Sequence, residues 1–190
     1  PTEIYTNTES SAASDVYKRQ AGNPHVHFDP VRVALIAKAL ANVLSSIDAE
    51  NADAYQSNLR DFNSTWNSAM HKWKDSSNKL QQSSVIVHHD SLVYLLQWLG
   101  IKQVAALEPK HGVPPSTSYL AEMLETVKQQ QADMIIRSGY EDERPSEWLS
   151  HKSGIPVVTI PFSVNDYGTP GELKKWMDNV ISRLLKGNGN

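Results

Sequence analysis

From residue 29 onward the chain alternates between stretches with helical hydrophobic spacing and short uninterrupted apolar runs. Val33, Ile36, Ala37, Leu40, Val43, Leu44 and Ile47 recur every three or four residues, which predicts a helix over 30–46 with that stripe facing the core. Asp29 and Pro30 supply its start, because a carboxylate can accept from the first unpaired N–H groups and proline's fixed φ suits the first helical position. A second helix is predicted over 49–80, capped by Asp48 and with Glu50 in its first turn, where a carboxylate suits the helix dipole. Its apolar positions, Tyr55, Leu59, Phe62, Trp66, Met70 and Trp73, form one narrow stripe, and neither Pro nor Gly interrupts it. At ~1.5 Å per residue it would extend over about 40 Å, longer than a compact domain of this size requires. It reads as a strut joining two lobes.

The remainder alternates strand and helix. Strands are predicted over 84–87, 104–107, 133–137 and 156–160, and they read as apolar runs rather than alternating ones. Between them lie helices over 91–99, stopped by Gly100, over 116–131, entered through Pro114 and Pro115, and over 145–153, ended by Gly154. A last helix runs to about residue 185, with Thr169 as N-cap, Pro170 first and Glu172 completing a capping box. Apolar strands alternating with helices predict an α/β fold, a parallel sheet covered by helices on both faces.

Residues 1–20 lack any such period. SSAASDVYKRQ and the upstream TEIYT resemble an in-frame read through a transposase-type sequencing adapter, so the leader is expected to be non-native or disordered. The biological sequence would then begin near Ala21.

Composition narrows the function. The chain has 190 residues, a net charge of −3 with mixed signs, and no basic stripe, which argues against a nucleic-acid partner. The absence of Cys removes disulfides, thiolate zinc sites, iron–sulfur clusters and thiol nucleophiles. No signal peptide is visible, and the longest apolar run, VRVALIAKALANVL, reads as too short and too interrupted to span a bilayer. Dinucleotide, P-loop, nucleophile-elbow and HExxH signatures are missing.

Three histidine-bearing stretches remain. VIVHHDS sets His88 and His89 at a strand's carboxyl end, where open α/β sheets bind ligands. NPHVHFDP sets His25 and His27 just ahead of a capped helix, and LEPKHGVPP sets Glu108 and His111 after another strand. Imidazole is the commonest protein ligand for zinc. A lone histidine is more often a hydrogen-bonded surface group, as expected of His71 in mid-helix and of His151 near a helix end. The acidic run EDERPSE reads as a solvated loop leading into a helix, and the tryptophans, all in predicted helices, read as packing residues.

NPHVHFDPVRVALIAKALANVLSSIDAENADAYQSNLRDF, followed by HHDSLVYLLQWLGI, resembles the metal-binding solute-binding proteins of zinc/manganese ABC importers in order and spacing. The resemblance implies two α/β lobes joined by a long helix with a metal ion between them. Residues 21–47 would be a remnant of the N-terminal lobe, 48–82 the connector helix and 83–190 the C-terminal lobe. It implies His25, His89 and Asp166 as metal ligands, a further His in an N-terminal part not present here, Glu108 behind the ligands, and His27 as an auxiliary ligand or pocket wall. Arg137 stands where many members carry an acidic residue. Asp90 is a candidate to orient an imidazole.

The expected cargo is zinc, with manganese possible, and the expected partner is a membrane ABC permease. The protein is expected to be a non-enzymatic monomer, periplasmic or membrane-tethered, and to bind metal weakly in this form. The competing readings are a zinc hydrolase with Glu108 as base, and a surface adhesin, for which the residues offer nothing.

Overall fold

Residues 23–110, 112–165 and 169–189 are described by the computed structural model. The leader at 1–20, His111 and Asp166 lie outside the described residues.

Helix α1 (Pro30–Ile47) begins as expected: Asp29 Oδ1 accepts from the N–H groups of Val31 at 2.9 Å and Arg32 at 3.1 Å. It packs against α2 (Ala52–Ser76), and the Trp66 indole N–H donates to the Pro30 carbonyl at 2.8 Å. Only part of the anticipated stripe is used. Val33 packs on the core, whereas Ile36, Leu40, Val43 and Ile47 are exposed, as are Val31 and Leu35. The helix is apolar on two sides and α2 covers one of them. By length and composition α1 does reach what a membrane crossing needs, contrary to the sequence reading of that run.

The second helix is shorter than expected. A 3-10 turn, Ala49–Asn51, precedes it and another, Ser77–Leu80, follows, leaving 25 α-helical residues, about 37 Å at the standard rise. Asp48 does not cap the backbone. Its carboxylate accepts instead from the Tyr55 hydroxyl at 2.7 Å and the Asn51 amide at 3.0 Å, which ties the α1–α2 corner together.

Strands β1 (Ser84–Val87), β2 (Lys102–Ala106), β3 (Met134–Ser138) and β4 (Val157–Ile160) form one parallel sheet in the order β2-β1-β3-β4. Helices α3 (Val93–Leu99), α4 (Thr117–Gln130), α5 (Glu143–Ser153) and α6 (Glu172–Gly187) complete the fold. The strand centres are apolar because both faces of the sheet are covered there, while Lys102, Gln103, Arg137 and Thr159 occupy less buried positions. Val85, Val87, Met134 and Ile136 face one core with Trp66, Trp73, Leu95 and Trp176 from α2, α3 and α6. Ile86 and Ile135 face a second core with Val127 of α4 and Leu149 of α5. The fold is thus the expected α/β sheet covered on both faces.

Most helix ends fall where the sequence places them. Gly100 takes the left-handed conformation that stops α3. Besides α2, the exception is α6, whose N-cap is Gly171 at φ 86° rather than Thr169. The Glu172 N–H bonds the Thr169 carbonyl at 3.3 Å, so residues 169–171 make a separate turn and the capping box does not form. Gly187, near the other end of α6, lies so close to β4 that a Cβ there would meet Val158 Cγ2 at 2.1 Å.

Candidate metal centre

The connection from β1 to β2 passes through α3 on one face, and that from β3 to β4 passes through α5 on the other. The carboxyl ends of β1 and β3 therefore flank the point where the winding reverses, the usual ligand crevice of such sheets. His88 and His89 follow β1 directly, and 139–142 follow β3. Between them opens a cleft of about 350 Å³ lined by His88, His89, Glu108, Tyr140, Glu141 and Asp142, with Pro114 and Pro115 at its edge.

His25 meets His89 from a different segment, on the turn entering a short 3-10 stretch, Val26–Phe28. Phe28 is fully buried and anchors the turn, and Asp29 ends it by capping α1. The His25 and His89 rings face edge-on with centroids 5.5 Å apart. Two imidazoles sharing one tetrahedral zinc, at Zn–N of ~2.0–2.1 Å, have centroids about 5 Å apart. The pair is already near that spacing.

Both rings have Nδ1 committed to an oxygen. His25 Nδ1–H donates to Asn23 Oδ1 at 2.8 Å, and the same oxygen accepts the His25 backbone N–H at 2.9 Å. His89 Nδ1–H donates to Glu108 Oε2, while Glu108 Oε1 accepts the Gly112 N–H at 2.7 Å. An acceptor at Nδ1 fixes the tautomer in which Nε2 carries the lone pair, as a metal requires.

The neighbouring histidines are used differently. His88 is buried, its Nδ1 finds no partner, and burial lowers its pKa. His27 is half-buried against Phe28, Phe162 and Trp176, with centroids 4.4, 5.2 and 5.7 Å away. Its Nε2–H donates to the Phe162 carbonyl at 3.2 Å; burial lowers its pKa, partly opposed by that bond. Of the two roles open to His27, this geometry is that of a wall.

Some expectations change. Asp90 orients no imidazole; its carboxylate accepts from the Gln103 amide at 2.6 Å, and Glu108 does the orienting. The acidic run is not a loop throughout, since Asp142 caps α5 and Glu143 begins it. Glu141 is buried enough for desolvation to raise its pKa, with Oε2 accepting the Ser138 N–H at 2.7 Å and Oε1 unpartnered. Arg137 bonds the Glu141 carbonyl and the Glu143 carboxylate, both at 3.3 Å, beside the cleft. Asn23 was missed by sequence reasoning, although an Asn two residues ahead of a turn histidine is the signature of an Asx turn. Phe162 was also missed, and nothing in sequence marks it.

Asp166 lies outside the described residues, and among the described residues no group of three His, Asp or Glu side chains is arranged to hold a metal. The structure brings together two of the three expected ligands.

The family described as the periplasmic zinc-uptake complex component A matches residues 3–187. Among curated relatives, the manganese ABC transporter substrate-binding lipoprotein PsaA of Streptococcus pneumoniae is 20% identical over 173 residues, which are 86% of this chain and 56% of the relative. The zinc-binding lipoprotein AdcA of Streptococcus pneumoniae is 24% identical over 138 residues, 73% of this chain and 28% of the relative. This chain thus spans little more than half the length of the first and less of the second. In fold it is similar to FpvC of Pseudomonas aeruginosa solved with Mn2+, with a TM-score of 0.78 and 23% identity over 95% of this chain and 66% of that one.

Proposed function

The chain belongs to the family of the periplasmic zinc-uptake complex component A, and from that premise we propose that it is part of an extracytoplasmic solute-binding protein that carries a divalent transition metal to an ABC importer permease. The observation that carries the reading is the His25–His89 pair: two imidazoles from separate segments, at a spacing close to that on one ion, each held at Nδ1 by an oxygen. In this reading both are ligands through Nε2, and Asp166 supplies a carboxylate. Glu108 holds the His89 ring at Nδ1, and Asn23 orients His25.

Zinc is the favoured cargo, because a site dominated by imidazole suits zinc better than the oxygen-rich sites that manganese prefers. The curated relatives are named for manganese, zinc and iron. The exposed apolar side of α1 and the greater length of those relatives support reading 21–47 as belonging to a further lobe, with α2 as the connector. The hydrolase alternative is disfavoured by Glu108: both its oxygens are engaged, one by His89 and one by the Gly112 N–H, so it is poorly placed as a general base.

Zinc competition titrations against a chromophoric chelator test the assignment. The chain should bind zinc weakly, and His25→Ala and His89→Ala should each weaken it by at least about tenfold, no less than loss of a supporting residue costs. Unchanged affinity in both variants would overturn the ligand assignment, and ester or peptide turnover by the zinc-loaded chain would restore the hydrolase.

A further inference from the structure

His27 is left without a role by the metal reading, although it is among the most tightly engaged polar side chains near the site. Its ring packs against the Phe28, Phe162 and Trp176 rings, and its Nε2–H goes to a backbone carbonyl 135 residues away in sequence. That carbonyl belongs to Phe162, in the segment that follows β4. The Phe162 ring in turn packs edge-on to His25, with centroids 5.7 Å apart, and against Tyr140 at 4.8 Å. A single bond thus ties the 3-10 turn carrying His25 to the segment whose aromatic ring forms a wall of the His25 imidazole.

We propose that His27 is a positioning residue: by donating Nε2–H to the Phe162 carbonyl it fixes Phe162 against His25 and thereby holds the His25 imidazole in the orientation that presents Nε2 to the cleft. The two contributions of the side chain differ in kind. Ring packing against Phe28 and Trp176 is apolar and any aromatic residue supplies it. The bond to Phe162 needs an N–H donor, and its loss leaves a partly buried carbonyl unpaired and loosens Phe162, although the Trp176 indole still holds the Pro161 carbonyl at 3.0 Å. Outer partners of metal ligands act in this way, through geometry rather than through contact with the ion.

The proposal rests on the reading of His25 as a ligand only for its consequence in affinity; the positional claim is measured without metal. In the metal-free 190-residue chain, long-range proton–nitrogen spectra of the histidine side chains should show His27 as the Nε2–H tautomer with a slowly exchanging proton, and His25 as a single Nδ1–H tautomer. His27→Phe keeps the ring and deletes the donor. It should give mixed or broadened His25 ring signals and weaken zinc about tenfold, the lower range for an outer partner. His27→Trp restores an aromatic ring with an N–H donor, and should return a single His25 tautomer and an affinity within about threefold of the parent chain. Sharp, unchanged His25 signals in His27→Phe, or equal loss in the Phe and Trp variants, would overturn the proposal. If the Phe variant does not fold, a rapidly exchanging or absent His27 Nε2 proton in the parent chain would overturn it as well. His25→Ala separates the two ideas: unchanged zinc affinity there refutes His25 as a ligand, while the His25 spectra still decide the role of His27.

Discussion

The two halves of the candidate site are held by different means. At the end of β1 the backbone does the holding: the His88 N–H bonds the Ile136 carbonyl at 2.8 Å, and the His88 carbonyl accepts from the Glu108 N–H at 2.9 Å. His89 follows a strand fixed on both sides by ladder bonds. The His25 turn has no strand beneath it. Its backbone bonds are all local, from Val26, Phe28 and Asp29 to the carbonyls of Pro24, His25 and Val26, and its place is set by side chains: Phe28 in the core, Asp29 on α1, Asn23 on His25, His27 on Phe162. A sheet edge tolerates side-chain change because its geometry lies in the main chain, whereas a turn held by side chains loses its geometry with any one of them. Mutations around His25 should therefore couple stability to binding, and mutations around His89 should separate the two.

The largest effect belongs to Phe28→Ala. Removing a fully buried phenylalanine costs about 3–5 kcal/mol, transfer and cavity together. Here that loss should fall on the turn, so chemical denaturation should show the destabilisation and zinc titration a parallel loss of affinity. Full affinity in a destabilised Phe28→Ala protein would mean that the turn is not held as described. Next comes Glu108→Gln on the other half. It keeps an oxygen for the Gly112 N–H but replaces the charged acceptor of His89. Zinc should bind roughly 10–100-fold more weakly, with the melting temperature of the metal-free chain nearly unchanged. A fall in stability comparable to that of Phe28→Ala would erase the contrast between the halves.

This contrast also explains what sequence could reveal. The parallel sheet was legible because strands buried on both faces are mostly apolar, and the strands expected at 84–87 and 133–137 fell within a residue of β1 and β3. Strand position marked His88 and His89 together, and the family resemblance singled out His89. Where side chains decide, the sequence was less informative. The stripe on α1 was a correct helix signal but did not say which side α2 would take, since the helix is apolar on both. Asp48 and Thr169 had the right chemistry for caps, yet Asp48 bonded Tyr55 and Asn51, and Gly171 took the capping position on α6. Glu108 and Asp90 are both acidic and both near His89 in sequence or space. Only the fold shows that one meets the imidazole and the other meets Gln103. Phe162 lies 137 residues from His25, beyond the reach of any local pattern.

The smallest effect tests the cleft beside His89 and depends on pH. Burial raises the Glu141 pKa above its ordinary value, and the bond from the Ser138 N–H only partly opposes this. A carboxyl whose folded pKa is raised binds its proton more tightly in the folded than in the unfolded chain. Its contribution to stability is therefore complete below the unfolded carboxyl pKa, about 4.3, and is lost as pH rises through the folded value. At pH 7 the ionised, half-buried group counts against folding, and Glu141→Gln should raise the melting temperature of the metal-free chain. At about pH 4 the native side chain is itself neutral, and the advantage of glutamine should vanish. Thermal melts of both proteins at the two pH values decide the matter. A glutamine variant less stable at pH 7 would show that the carboxylate's charge-assisted bond to the Ser138 N–H outweighs its desolvation, making Glu141 part of the backbone framework that holds the β3 end. A variant more stable at pH 7 and equal at pH 4 would place Glu141 outside that framework, leaving the strands alone to hold the His89 half of the site.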